Sequence, residues 1–179
     1  MLTGVFFTLA GDPALTSLSA VLTAGSTVFF GGTSPGNVVG GEWAYASGLN
    51  GAPRGANQGI SSSGLGLFGA ATFPGANLQG PNAVNGMQYG IVSLGDNPAT
   101  GNAPVTGSNA FIHNAVVFTL GNLPMDFSLH DISNVSFQYG TSLTEPNFPG
   151  DTPVVPEPAS FVLLGIGIAA FATRRTRKT

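Results

Sequence analysis

Val135-Ser136-Phe137-Gln138-Tyr139 alternates large residues with small or polar ones at a period of two. In an extended chain, successive side chains point to opposite faces. Val135, Phe137 and Tyr139 therefore share one side, which is the pattern of a half-buried β-strand. Working outward, six more short apolar runs read as strands: Val5–Leu9, Leu18–Leu22, Thr27–Phe30, Glu42–Ala46, Tyr89–Ser93 and Ala115–Leu120. Gly-Gly-Thr-Ser-Pro-Gly (31–36), Gly-Leu-Asn-Gly-Ala-Pro (48–53) and Gly-Asp-Asn-Pro-Ala-Thr-Gly-Asn (95–102) separate them with turn chemistry. No segment before residue 159 sustains a 3.6-residue period. Spaced short strands with Gly/Pro turns predict a mainly β fold. The expectation is an antiparallel β-sandwich, with a jelly roll or barrel as alternatives, followed by a single C-terminal hydrophobic helix. The segment 47–86 is poorer in strand signals and reads as a long surface excursion. No internal repeat is visible.

Composition supports this and narrows the function. The chain has 179 residues, suited to one domain plus tails, with 27 glycines and 13 prolines. Charged residues are 7% of the chain, against about 25% in ordinary soluble proteins. A coiled coil, a helical bundle or a charge-rich disordered tail needs far more Glu, Lys and Arg. The absence of cysteine excludes disulfides, thiolate zinc sites and cysteine nucleophiles.

Charge is distributed unevenly. Arg174, Arg175, Arg177 and Lys178 crowd the last six positions, and Arg54 is the only other basic residue. Residues 1–157 hold that one arginine against eight acids, a net charge of −7. Binding to nucleic acid draws most of its strength from Lys and Arg on phosphate, so this body is not a nucleic-acid binder.

The last 27 residues have three parts. Pro153, Pro156 and Pro158 keep the first part extended, since proline lacks an N–H and disfavours helix before itself. Residues 159–173 carry no charge and read as a transmembrane helix, with Phe161, Val162, Leu163, Leu164, Gly165, Ile166, Gly167, Ile168, Ala169, Ala170, Phe171 and Ala172 as its span. Fifteen helical residues cover about 22 Å at ~1.5 Å per residue. The hydrocarbon core is about 30 Å thick, so a crossing needs local thinning or snorkelling arginines. The third part, residues 174–179, is a basic cluster that the positive-inside rule places in the cytoplasm. The alternative is a buried terminal helix. It would have to be apolar on every face, with Gly165 and Gly167 in its middle, and a small domain has little room for one. The organisation is thus a β-rich extracytoplasmic domain over 1–140, a Pro-rich linker over 141–158, the membrane helix and the basic tail.

At these residues the chain resembles a known family. Val155, Pro156, Glu157, Pro158, Ala159 and Ser160, then a short hydrophobic span, then the arginines, are similar to the PEP-CTERM sorting signal. Exosortases, membrane-embedded cysteine transpeptidases of Gram-negative bacteria, read that signal. The resemblance implies that Pro156, Glu157 and Pro158 are the recognition motif and that the helix is a temporary anchor. It implies an inner-membrane-anchored precursor facing the periplasm, processed near the motif. The body would then stay on the cell surface or in the extracellular polymer layer, with extracellular polysaccharide as a further partner. Leu-Thr-Gly-Val-Phe-Phe (2–7), Gly-Glu-Trp-Ala-Tyr (41–45) and Ile-Ser-Asn-Val-Ser-Phe-Gln-Tyr-Gly-Thr (132–141) also resemble small exosortase-dependent surface proteins. That class implies no enzymatic activity.

Such delivery needs an N-terminal export signal with a basic start, an apolar stretch and a small-residue cleavage site. Met1 to Asp12 has no Lys or Arg, and Gly4 and Asp12 confine its apolar stretch. A true start upstream of Met1, or a fragment, is the expectation.

Gly64-Leu-Gly66-Leu-Phe-Gly69 fits G-x-G-x-x-G, but a dinucleotide site needs a strand before it, a helix after it and an acid about 20 residues on. The next acid is Asp96, and Pro74 leaves room for a stunted helix at most. His113 and His130 lack ligand-spaced partners, and Asp131 beside His130 would point to the opposite face of a strand. No Gly-x-Ser-x-Gly elbow accompanies a Ser-His-Asp triad. Asp96 and Asn97, with Asn102 nearby, read as a turn rather than a calcium loop. Asn134-Val-Ser136 is a glycosylation sequon with no meaning in a bacterial host. No cofactor and no metal is expected. Trp43 and Tyr45 lie two apart and share one face of a strand, as a core pair or as a sugar-stacking platform. Three functions follow: a non-enzymatic exported surface or matrix protein, a carbohydrate-binding module using Trp43 and Tyr45, or a secreted hydrolase. The first fits the tail on a catalytically featureless body and is the expectation.

Overall fold

A computed structural model describes residues 1–75, 77–78, 84–97 and 109–150. The sorting-signal, helix and basic-tail readings over 155–178 therefore lie outside the described residues, as does Asn102. Ten strands form: β1 Leu2–Leu9, β2 Thr16–Leu22, β3 Thr27–Phe29, β4 Ala44–Ser47, β5 Gln58–Ser61, β6 Gly90–Val92, β7 Phe111–His113, β8 Val116–Gly121, β9 Ile132–Tyr139 and β10 Asn147–Pro149. The described residues hold no α-helix, only three-residue 3-10 turns at Gly40–Glu42, Pro53–Gly55, Ala70–Thr72 and Leu129–Asp131. None of these helices is long and apolar enough to cross a membrane.

The centre of the architecture is β1. One of its edges pairs antiparallel with β9, from Leu2 opposite Tyr139 to Leu9 opposite Ile132. The other edge is shared. Leu2 pairs with Ile91 of β6, and Gly4 to Phe7 pair with Ser61 to Gln58 of β5. The sheet therefore forks, one branch running β5–β4 and the other β6–β7–β3. The remaining two strands, β2 and β8, form a separate antiparallel ribbon.

The apolar run Val5-Phe6-Phe7 suits a strand covered on both faces. Phe6 joins one core with Ala44, Leu65, Phe68 and Phe73. Phe7 packs on the other, which gathers Ile60 and Ile112 of the large sheet with Ala20 of the ribbon. Leu22, Val116, Phe118 and Leu120 of the ribbon also pack there, so the ribbon covers that face of the sheet. Gly59 permits the first core its closest approach: a Cβ there would meet the Phe6 ring at 2.9 Å and Leu49 at 3.0 Å.

Several expectations change. The antiparallel rule fails at β6 and β7, which pair parallel with Gly90 opposite Phe111. The fold is thus one mixed eight-stranded sheet plus a two-stranded ribbon. The segment 47–86 is no surface excursion, because all four residues of β5 are buried between β1 and β4. Its Gln-Gly-Ile-Ser has one large apolar residue and so gave no strand signal. Glu42 belongs to a 3-10 turn, and the strand that follows begins at Ala44. Residues 147–149, within the stretch read as a linker, pair with β9 as β10. Along β9 the completely buried side is the polar one: Ser136 and Gln138 are inside, while Val135 and Phe137 are half-buried and Tyr139 is exposed. Tyr139 instead meets the exposed Phe148 of β10 edge-on, with ring centres 5.7 Å apart.

Candidate functional site

The last strand before the sorting segment is β10, which forms a hairpin with β9. Gln138 sits opposite Asn147, Phe137 opposite Phe148 and Ser136 opposite Pro149. The Gln138 amide nitrogen lies 3.0 Å from the carbonyls of Tyr139 and Ser142 and 3.1 Å from that of Glu145. Its two hydrogens are shared among these acceptors, so one buried side chain gathers the whole 139–146 turn. The Glu145 carboxylate accepts the Thr141 and Ser142 amides at 2.6 and 2.8 Å. Thr3, buried in β1, donates to the carbonyls of Gln138 and Gly140. The Gln138 amide nitrogen and the Ser136 hydroxyl thus find partners on the inward face of β9, as buried polar groups usually do, whereas Oε1 of Gln138 is buried with no partner among the described residues.

Asn147 ties the hairpin to its surroundings. It accepts from Nε of Arg54 at 3.3 Å and donates to the Ser136 hydroxyl at 3.3 Å. Pro149 has no N–H to offer, which blunts the outer edge of the sheet. The Gly150 amide then donates to the Val135 carbonyl at 2.7 Å.

Trp43 and Tyr45 fall on one face, as their spacing predicts. Trp43 is only 2% exposed, with its ring centre 4.8 Å from that of Phe118. The indole is packed between sheet and ribbon and offers no open face to a sugar. Tyr45 is half-buried. Its hydroxyl accepts the Leu15 amide at 3.1 Å and donates to the Gln58 carbonyl oxygen. Gln58 in turn donates to the Asp12 carboxylate at 2.6 Å and to the Pro13 carbonyl at 3.2 Å. The group pins the 10–15 turn onto β4 and β5. Burial raises the Tyr45 hydroxyl above its ordinary pKa of 10.0, and the Leu15 hydrogen bond opposes that shift in part.

The other candidates have structural surroundings. Ser128, His130 and Asp131 do converge, with the Ser128 hydroxyl 3.3 Å from Nδ1 of His130. However, the Asp131 carboxylate accepts the Ser128 amide at 2.7 Å, and the Ser128 hydroxyl accepts the His130 amide at 3.3 Å. That is a capping box on a 3-10 turn. A triad needs its carboxylate on the imidazole, and here the carboxylate holds a backbone N–H. His113, in β7, sits edge-on to Phe29 at 5.8 Å. The Asp96 carboxylate closes its own turn on the Ser93 amide at 2.9 Å. Asn134 donates to the Thr8 hydroxyl at 3.3 Å. Gly64, Gly66 and Gly69 follow β5 and lead into a three-residue turn, with no helix to receive a pyrophosphate. Among the described residues, no three His, Asp or Glu side chains are grouped to hold a metal.

Sequence reasoning missed the buried polar residues that organise the body. These are Gln58, Gln138 and Glu42, the last of which accepts the Leu78 amide. Only Glu42, placed beside Trp43 between apolar runs, carried a signal that could have drawn attention.

Residues 154–178 match the family described as the PEP-CTERM protein-sorting motif. No curated protein and no solved structure matches the chain. The match covers the tail alone. It marks this chain as a protein sorted at the cell envelope, an exosortase target with a membrane anchoring signal.

Proposed function

We propose that this chain is a non-enzymatic surface or matrix protein. It is exported, held at the inner membrane by residues 161–172, processed by an exosortase near Pro156-Glu157-Pro158, and left at the cell surface. The observation that carries this reading is the sorting motif at residues 154–178. Its three parts have separate physical tasks. The prolines hold the recognition residues extended, the apolar run partitions into lipid, and the four basic residues favour the cytoplasmic side.

Support for a structural body comes from where its reactive side chains are used. Ser128 and Asp131 cap a turn, Asp12 receives Gln58, and Glu145 receives two backbone amides. The hairpin adds a further reason. The recognition motif begins six residues beyond Gly150, at most about 21 Å of fully extended chain. A short tether on an ordered strand presents the motif close to the body and to the membrane-embedded enzyme.

Terminal-peptide mass spectrometry on the protein from its native cells tests this. The expected mature form ends near the motif and lacks residues 161–179. A mature surface form that retains those residues refutes the reading.

A further inference from the structure

We infer that one end of the body, formed by residues 10–18 (the turn after β1 and the start of β2) and 121–131 (the end of β8 and the connection to β9), rests on the lipid surface while the anchor is in place. The inference rests on the anchor reading above and adds the orientation of the body. β10 runs antiparallel to β9, from Asn147 opposite Gln138 to Pro149 opposite Ser136. With Gly150 bonded to Val135, the chain leaves heading for the Ile132 end of β9. That end lies three residues further on, about 10 Å at ~3.3 Å per residue.

The same end gathers other segments. The 121–131 loop leads directly into β9, and the Asp131 carbonyl accepts the Ala10 amide at 3.1 Å. Asn122 donates to the Ala14 carbonyl at 2.9 Å, and Leu18 lies where a Gly121 Cβ would stand, 2.9 Å away. These contacts join the turn after β1, the start of β2 and the end of β8 into one surface. It displays Leu18 at 62%, Leu123 at 45%, Leu129 at 77% and Met125 at full exposure. The turn at the opposite end of β9 carries Thr141, Ser142, Thr144 and Glu145, and its one apolar residue, Leu143, packs against the Phe6 core.

Lipid is the occupant that the tether selects. Only residues 151–158 separate Gly150 from the uncharged run, at most about 28 Å of extended chain, of which ~10 Å is used in reaching the end of β9. The exposed apolar side chains thus face the side on which the anchor enters the membrane, and apolar side chains gain by leaving water for the acyl boundary. The surface contains no Lys or Arg and carries Asp12, Asp126 and Asp131. Its docking is therefore apolar, and anionic headgroups do not strengthen it.

The chain lacks cysteine, so single-cysteine variants give unique labels. Full-length protein carrying an environment-sensitive fluorophore at Met125→Cys, Leu94→Cys or Ala169→Cys is placed in phosphatidylcholine nanodiscs. Each sample is compared with and without nitroxide-bearing lipid. Leu94 is the control: it is 63% exposed, and β6 runs antiparallel to β1 with Ile91 opposite Leu2, so it follows β6 out at the other end. The expected result is a blue shift with lipid quenching at positions 169 and 125, and neither at 94. Quenching at 169 without quenching at 125 overturns the inference and leaves the anchor standing. A blue shift at 125 without lipid quenching means that protein covers the patch, a second copy included, and overturns it too. No quenching at 169 removes the anchor and the inference together.

Discussion

The amide of Gly150 donates to the carbonyl of Val135 at 2.7 Å, so the chain stays paired to its sheet through the last described residue before the sorting motif. Residues 147–150 therefore form a strand edge rather than a loose linker. Weakening the hairpin should loosen the body while the tail's recognition chemistry stays intact. The two kinds of change are separable by experiment.

On the tail, Glu157→Ala and Pro156→Ala remove parts of the recognition motif without touching the described body. The expected outcome in native cells is a membrane-bound precursor that keeps residues 161–179. Immunoblotting of membrane and surface fractions, with terminal peptides identified by mass spectrometry, checks it.

On the hairpin, Gly140 has φ +78°, and a Cβ there would stand 2.2 Å from the Glu145 carboxylate. An alanine costs about 1 kcal/mol for the left-handed backbone. It also displaces the carboxylate from two amides, where a buried donor left without a partner would cost about 1–3 kcal/mol. The exposed surroundings of Glu145 place the second cost at the low end. Gly140→Ala is expected to lose about 2 kcal/mol in urea unfolding, while Glu145→Gln, which keeps an acceptor, loses less.

Tyr45 gives a pH signature. Its hydroxyl is raised in the folded state, chiefly by burial. The folded protein therefore holds this proton more tightly than the unfolded chain does. Its contribution is fully present below the unfolded pKa near 10 and is lost as pH rises through the folded value. Urea midpoints measured from neutral to strongly alkaline pH should fall above about pH 10 in the parent. Tyr45→Phe should show a smaller alkaline fall and a lower neutral midpoint, because the Leu15 and Gln58 bonds are gone.

Trp43 is the only tryptophan, and it is packed against Phe118. Native emission should be blue-shifted and should move red on unfolding, which makes it a reporter of the sheet–ribbon core. Trp43→Ala opens a large cavity and should cost about 3–5 kcal/mol. Glycan binding that disappears in Trp43→Phe while the unfolding midpoint holds would contradict this core role.

Gly59 tests the other core. Gly59→Ala pushes a methyl group into the buried Phe6 ring and the half-buried Leu49 packed against the same core. Overpacking of this kind costs about 1–3 kcal/mol. Combining it with Phe6→Leu should recover part of the loss, read as a non-additive double-mutant cycle.

Much of the fold was legible where a strand advertises itself locally. Val5–Leu9, Leu18–Leu22 and Val135–Tyr139 lie within observed strands, and Ala115–Leu120 does so from Val116 on, because apolar content and flanking turns are properties of adjacent residues. The strands that escaped notice are β5, β7 and β10. β5 is Gln-Gly-Ile-Ser, and its burial comes wholly from β1 and β4 on either side.

The tail is the part that the sequence determined by itself. A sorting signal is contiguous: recognition residues, apolar length and basic charge act in chain order, so their chemistry reads without a fold. Tertiary structure alone decided the rest. It set β6 parallel to β7, turned the polar face of β9 inward, and placed Trp43 in the core instead of on the surface. The physical reason is the range of the forces involved. Burial and hydrogen-bond satisfaction depend on partners far away along the chain. The Gln138 amide nitrogen is acceptable inside because the carbonyls of the 139–146 turn meet it there, and no pattern along β9 announces them.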